Sequence, residues 1–414
     1  LFEAAGLDVQ ITNMREGTMT TIGLRSWRAC CAVFAAAALL TLPSPSAAID
    51  PYELDVIAPM SGNGTFIGRA LPATFAAIED VVNKSGGISG RPVHFVILDD
   101  QSNPQVALQL ANEIIAKQVP IILGPSLSAT CNAIIPLVQS GPVLYCYSPA
   151  IHPVTGSYVF SAQVDTESSI GASIRYLRLR GLTRIAFLAT TDASGQDGER
   201  SVDVALALPE NSSVRLVARE HFAVTDLSVA AQVARIKAAN PQVVIVWSAG
   251  TPTGTALRNM RDAGLAVPVL LSAANLTYAQ MQQYASFMPP ELLYAGVPAM
   301  DPDGIANKAV KALVTDFLRA MDAQGVKDVD YPPLATADPT FMVIAALRKL
   351  GTNVTATKLR DYLAHQRGAL GLFGSYDFQK IPQRGLDDSA VLMVRWDPAK
   401  NTWIGISRPG GTPL

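Results

Sequence analysis

Val119-Pro-Ile-Ile-Leu123-Gly-Pro-Ser-Leu-Ser128-Ala-Thr-Cys131, followed by Pro142-Val-Leu-Tyr-Cys-Tyr147-Ser-Pro-Ala-Ile-His152-Pro153, decides how this chain folds. Each stretch opens as a short apolar run of strand character and stops at Gly-Pro or Ser-Pro, a strong turn signal. After the first stop a hydroxyl stands where a helix should begin, the place where serine caps free backbone N–H groups. Two parallel strands ending side by side, one feeding a helix, make a seat for a carboxylate. The first N–H groups of a helix lack intrahelical partners and carry about half a positive charge. An anion held there needs no lysine or arginine.

Outward from that stretch the same alternation continues. Leu54–Ala58 precedes a helical pattern near 69–84, and Val93–Leu98 precedes another. The second helix opens with Asn103 as cap and Pro104 at its first position, and Ala107, Leu110, Ala111, Ile114 and Ile115 form one apolar face. A second series follows Asp165, with strands expected at 184–189, 214–218, 243–247 and 267–271 and a further apolar run at 292–298. Helices are expected near 304–324, 337–350 and 355–366, then two short strands at 390–396 and 402–406. Strand-helix alternation of this kind predicts an α/β fold, with parallel sheets covered by helices on both faces. Ligands of such sheets bind at the carboxyl ends of the strands. Two α/β units without a soft linker suggest lobes joined by short crossings, a hinge geometry.

At 414 residues the chain exceeds one core, which also points to two lobes. With 32 basic and 34 acidic residues, nothing indicates nucleic acid or an anionic membrane surface as partner. Arg25 and Arg28 precede an apolar run from Ala29 to Leu42, and Pro43-Ser-Pro-Ser-Ala-Ala48 supplies small residues for a peptidase. The pattern predicts a secretory signal cleaved near Ala48, with a retained membrane anchor as the alternative, and residues before Met14 and Met19 read as an over-long gene start. Cleavage leaves Cys131 and Cys146 in a compartment that permits disulfides. A bridge would tie the two walls of the carboxylate seat; two buried thiols are the other reading.

Several stretches together resemble the type I periplasmic solute-binding proteins of ABC transporters, in the branched-chain amino acid (Leu/Ile/Val) binding group. They are Ile57-Ala-Pro-Met-Ser-Gly62, Asn83-Lys-Ser-Gly-Gly-Ile-Ser-Gly-Arg-Pro92, Asp99-Asp-Gln-Ser-Asn-Pro104, Gly124-Pro125 with Ser128, Ser148-Pro149 and Ala231-Gln-Val-Ala-Arg-Ile-Lys-Ala-Ala-Asn-Pro241. The tail, Gly374–Phe378 through Pro382-Gln-Arg-Gly385 to Val394-Arg-Trp396, is similar to the aromatic-acid branch of that family. The resemblance implies two Rossmann-like lobes with parallel central sheets and a three-crossing hinge near 165, 297 and 369. Lobe one would be 50–165 plus 298–369, and lobe two 166–297 plus 370–414, after residues 1–48 of upstream extension and signal. It also implies delivery of the ligand to an ABC permease and its ATPases; the protein is expected in the periplasm, exported by its signal, as a monomer. The carboxylate roles of the family map onto Ser128, Ser148 and the N–H groups of Ala150 and Ile151.

Departures from the family pattern set the expected ligand. Its amino-acid binders place Tyr before the Gly of the first lobe-two loop, where this chain has Ser194, and usually supply a lobe-two acid to the ammonium. The matching loops, around Thr251 and Asn275, hold no acid. A buried ammonium without a counter-charge costs several kcal/mol, roughly. Asp165 matches a hinge acid that can reach an ammonium, so an amino-acid or amide site stays open, as does a sensor module. Phe66 and Ile67 fall where the family covers its ligand with Tyr, and His152 lies near the seat. The expected ligand is a small aromatic acid of the benzoate, phenylacetate or cinnamate type. Ser194, Thr251 and Asn275 would serve its ring substituents.

Other chemistries fit poorly. Gly62-Asn-Gly64-Thr-Phe-Ile-Gly68 has one residue too many for a dinucleotide fingerprint, and its acid comes late. His94, His152, His221 and His365 form no ligand cluster, so neither metal nor other cofactor is expected. No G-x-S-x-G elbow is present and Ser128 has no evident base, so no enzyme is expected.

Overall fold

The structure, a computed structural model, describes residues 50–414; the expected signal sequence at 1–48 lies outside the described residues. The first sheet is built from β1 (Tyr52–Ala58), β2 (Val93–Asp99), β3 (Ile121–Leu123), β4 (Val143–Cys146) and β5 (Val159–Ser161). All five run parallel, in the order β2-β1-β3-β4-β5. β3 and β4 are buried along their whole length, as parallel strands covered on both faces must be. The helices between and beside these strands are α1 (Thr65–Gly68), α2 (Leu71–Lys84), α3 (Pro104–Ala116) and α4 (Ser128–Ile134). The α3 start follows its sequence: the Asn103 side chain accepts from the Gln105 N–H, and Pro104 occupies the first turn. Ala107, Ala111 and Ile114 are buried, with Leu110 and Ile115 packed beside them.

The chain leaves this sheet through α5 (Thr166–Leu179) and builds a second one. Its elements are β6 (Arg184–Thr190), α6 (Ala193–Ala207), β7 (Arg215–Phe222), α7 (Ala230–Ala238), β8 (Val243–Trp247), α8 (Thr251–Asp262), β9 (Val269–Leu271), α9 (Tyr278–Tyr284) and β10 (Leu292–Gly296). It then returns to the first lobe as α10 (Lys308–Ala323), α11 (Tyr331–Leu350) and α12 (Ala356–Ala364). α10 and α11 pack on α2, and α12 packs on β4. A hairpin follows, β11 (Arg367–Gly371) and β12 (Gly374–Asp377), and the expected crossing near 369 falls inside it. The hairpin is tied to α11 by Asp338, whose carboxylate accepts from the N–H groups of Leu372 (2.7 Å) and Phe373 (3.1 Å) and from the Tyr376 hydroxyl (2.8 Å). Burial pushes Asp338 up to about 6 even though those three bonds favour its charged form.

The last strands, β13 (Leu392–Asp397) and β14 (Thr402–Gly405), rejoin the second sheet, whose order is β14-β13-β10-β9-β8-β6-β7. β13 and β14 are antiparallel to their neighbours, so this sheet is parallel only over its other five strands. Two α/β lobes therefore face each other across the carboxyl ends of their strands, where such folds bind ligands. Among the described residues no helix is long and apolar enough to cross a membrane.

Candidate functional site

The seat begins where β3 ends. Gly124 has φ +76°, and a Cβ there would press into the Ile57 carbonyl of β1, so the turn requires glycine. Its N–H donates to the Tyr145 carbonyl (2.9 Å), and the Tyr147 N–H donates to the Pro125 carbonyl (2.9 Å), which binds the two strand ends together. The helix start differs from expectation. Leu127 is the N-cap residue of α4 and makes no side-chain cap bond, while Ser128 is the first helical residue. A serine in that position turns its hydroxyl elsewhere: Ser128 Oγ lies 2.9 Å from Ser148 Oγ, and both are buried. Ser148 is held by its carbonyl, which accepts from Ser161 Oγ (2.8 Å), and its Oγ accepts from the Ala150 N–H (3.3 Å). Cys131 and Cys146 form a disulfide, with Cα atoms 6.1 Å apart, that links α4 to β4.

In front of the serine pair lies a cavity of about 210 Å³ between the lobes. Phe66, Ile67, Ser126, Ser128, Tyr147 and Ser148 line it from the first sheet, and Asp192, Ser194, Trp247 and Ala273 from the second. Tyr331 and Thr336 of α11 close one end. No lysine, arginine, histidine or glutamate is among the lining residues. The second wall does hold an acid, contrary to the expectation from its loops. Asp192 caps α6, and its Oδ1 accepts from the Gly195 N–H (3.0 Å) and Thr190 Oγ1 (2.7 Å). Among the described residues no group of His, Cys, Asp and Glu could hold a metal ion.

Five of the expected site residues thus meet at the cavity: Phe66, Ile67, Ser128, Ser148 and Ser194. Six do not line it, each for a visible reason. The Ala150 N–H is committed to Ser148, and Ile151 packs in the apolar cluster behind the first sheet. Asp165 caps α5 through the Ser168 N–H (2.6 Å). Thr251 is the exposed first residue of α8. Asn275 is a brace: its Nδ2 donates to the Ser248 carbonyl (2.7 Å) and its Oδ1 accepts from the Gly250 N–H (3.1 Å).

His152, the sixth, reaches across the cleft, its Nε2 2.7 Å from Asp197 Oδ1 on α6. The hydrogen bond to Asp197 raises the His152 pKa, against the opposing effect of burial. Burial works to raise Asp197, yet hydrogen bonds from His152 and Thr166 and the nearby charges of His152 and Arg200 bring it below the usual aspartate value. On another side the lobes meet at Phe66 and Gly250. Gly250 has φ +73°, and a Cβ there would lie 2.6 Å from the Phe66 ring. These contacts describe a closed cleft.

Two contributors were not foreseen. Gln163 donates to the Tyr147 carbonyl and accepts from the Tyr331 hydroxyl (2.8 Å), which fixes one end of the cavity. Arg384, almost fully buried, donates to the carbonyls of Gln163 (3.0 Å), Pro149 (3.2 Å) and Ile151. It thereby holds the second Ser-Pro turn against the first crossing between lobes. The only sequence signal for it was the Pro382-Gln-Arg-Gly385 stretch of the tail.

Comparison with known proteins follows the same outline. A family model described as "Periplasmic binding protein" matches residues 53–401. The leucine-, isoleucine-, valine-, threonine-, and alanine-binding protein of Pseudomonas aeruginosa is 22% identical over 296 residues, covering 70% of this chain and 72% of that protein. A periplasmic binding protein type 1 from Bordetella pertussis Tohama I superposes with a TM-score of 0.75 at 20% identity, over 88% of this chain and 100% of its own. An R. palustris ABC-transporter solute-binding protein in complex with benzoate superposes with a TM-score of 0.71 at 14% identity, over 88% and 97%.

Proposed function

Because the chain belongs to the periplasmic binding protein family, we propose that it is the solute-binding component of an ABC importer for a small aromatic carboxylate. The observation that carries this reading is the buried Ser128–Ser148 pair facing a cavity with aromatic walls and no basic residue. A carboxylate accepts hydrogen bonds only, and hydroxyl and backbone N–H donors satisfy it without a cation. Ser128 sits in the first turn of α4, whose N–H groups lack intrahelical acceptors. Phe66, Tyr147 and Trp247 offer ring faces and edges to the body of the ligand, and an aromatic pair contributes about 0.5–1.5 kcal/mol beyond area burial. Ser194 offers a hydroxyl from the second wall.

Ligand binding shifts the population toward closure by contacts that exist only when both walls are engaged. The closed form is the one the permease and its ATPases recognise. The apolar run Ala29–Leu42 with its basic approach supports export to the periplasm.

Asp192 favours a second reading, an amino-acid ligand whose ammonium meets that acid. Its carboxylate already caps α6, so an ammonium would have to share it. A thermal-shift panel separates the readings. Benzoate, 4-hydroxybenzoate, phenylacetate or cinnamate should raise the melting temperature, a ligand at a hundredfold excess over Kd stabilising by about 2.7 kcal/mol. A rise with leucine, valine or glutamine alone overturns the aromatic reading.

A further inference from the structure

We infer that Ser126 is the second hydroxyl donor to the ligand's carboxylate, adding to the N–H groups at the start of α4 the hydroxyl hydrogen that the Ser128–Ser148 pair lacks. The inference rests on the carboxylate reading of the cavity, whichever body the acid carries.

Ser126 lines the cavity and is 9% exposed, and its Oγ is buried with no hydrogen-bond partner. Buried hydroxyls in folded proteins are almost always bonded, so an orphan beside a ligand cavity is a group waiting for one. Leu127, with φ −95° and ψ 142°, is extended, which brings positions 126 and 128 toward one side of the chain.

Each hydroxyl carries one hydrogen. Within the Ser128–Ser148 pair one of the two hydrogens joins the pair itself, so only one is left for a ligand. A carboxylate presents two oxygens. Other hydroxyls on this side of the cavity are committed: Ser102 donates to the Ser61 carbonyl (2.7 Å) and Thr336 to the Pro332 carbonyl (2.9 Å). Ser126 alone is buried there with its hydrogen uncommitted. One oxygen would accept from the serine pair and the other from Ser126.

The assignment makes Ser126 a liability in the empty protein and an asset in the loaded one. Those opposite signs separate it from a structural role. In Ser126→Ala, calorimetric affinity for the acid that the native protein binds, benzoate or 4-hydroxybenzoate, or leucine in the second reading, should fall about 10- to 100-fold. The melting temperature of the ligand-free variant should stay level or rise. Ser126→Cys, which keeps the shape but replaces the hydroxyl with a bulkier, weaker donor, should lose affinity similarly. An affinity within about twofold of native in Ser126→Ala, with Ser128→Ala weakened as a control, removes Ser126 from the seat and leaves the carboxylate reading standing. A lower melting temperature with unchanged affinity makes Ser126 a packing residue and overturns the assignment. If the native protein binds no carboxylate in the panel, the reading of the cavity falls and this assignment falls with it.

Discussion

The two walls of the cleft solve opposite problems. On the first-sheet wall, hydroxyls reach the cavity on a frame already fixed by other bonds, the strand-end backbone pairs, the disulfide and Arg384. On the second-sheet wall the polar side chains are largely the frame itself. Asn275 braces two neighbouring backbone turns, and Ser272 donates to the Ser248 carbonyl (2.8 Å). What this wall presents to the cavity is mostly small or aromatic: Ala249, Ala273, Ala274 and Trp247. Under the proposed reading, the difference assigns the carboxylate end of the ligand to one lobe and its body to the space between. Affinity and closure are then separable by mutation.

Removing the disulfide, as Cys131→Ser with Cys146→Ser, should break the first wall most severely. Cross-linking a loop of this length stabilises by about 3 kcal/mol, so denaturant melts should show a loss of that order. Affinity of the molecules that remain folded should change less. A smaller effect with the reverse profile is expected from Ser128→Ala. Losing a hydrogen bond to a charged group costs about 1.5–3 kcal/mol, read by calorimetry as weaker binding of the acid, while thermal melts without ligand stay close to native. Equal affinity would remove Ser128 from the seat and erase the asymmetry between the walls.

The smallest effect concerns the bond between the lobes, His152 to Asp197. A histidine whose pKa is raised in the closed form supports closure fully below its free value of about 6.5, and that support fades as pH rises through the raised value. Of the causes that hold Asp197 below its free value near 3.8, only the bond and charge of His152 cross the cleft, and that part supports closure above the free value and is lost as pH falls through the lowered one. Closure should therefore be most favoured between about pH 4 and 6.5. Arg200, which also donates to Asp197 Oδ1 (2.7 Å), sustains part of the acid's charge balance, and Arg384 and Asp165 act on His152 from its own side in opposite directions. His152 is 53% exposed in this pair, so solvent screens it and the effect is modest. Ligand Kd measured from pH 5 to 8 should weaken as pH rises, and His152→Gln should flatten the profile.

Much of this architecture was legible because parallel strands are uninterrupted apolar runs. Val243–Trp247 was read to the residue. The structure adds β5, only three residues long and too short to carry a pattern, and the hairpin β11–β12, whose glycines hide its strand character. α11 starts at Tyr331 instead of near 337, because Pro332 and Pro333 occupy its first turn, where proline is tolerated. At the site, turn chemistry marked Ser128 and Ser148 in advance. Asn275, Asp192 and Arg384 could not be assigned that way. Their roles depend on partners distant in sequence: Arg384 meets Ile151 over a separation of 233 residues.

That last contact ties a local turn to a distant part of the sequence. The serines proposed as the carboxylate seat precede residue 150, yet the turn that carries Ser148 is pinned by an arginine 233 residues beyond Ile151. Without Arg384, the carbonyls of Pro149 and Ile151 lack the donor that holds them, and the first crossing lacks its anchor. The spacing of those serines is thus a property of the whole fold, and a variant without the Arg384 guanidinium would carry every one of them without the clasp that sets their spacing.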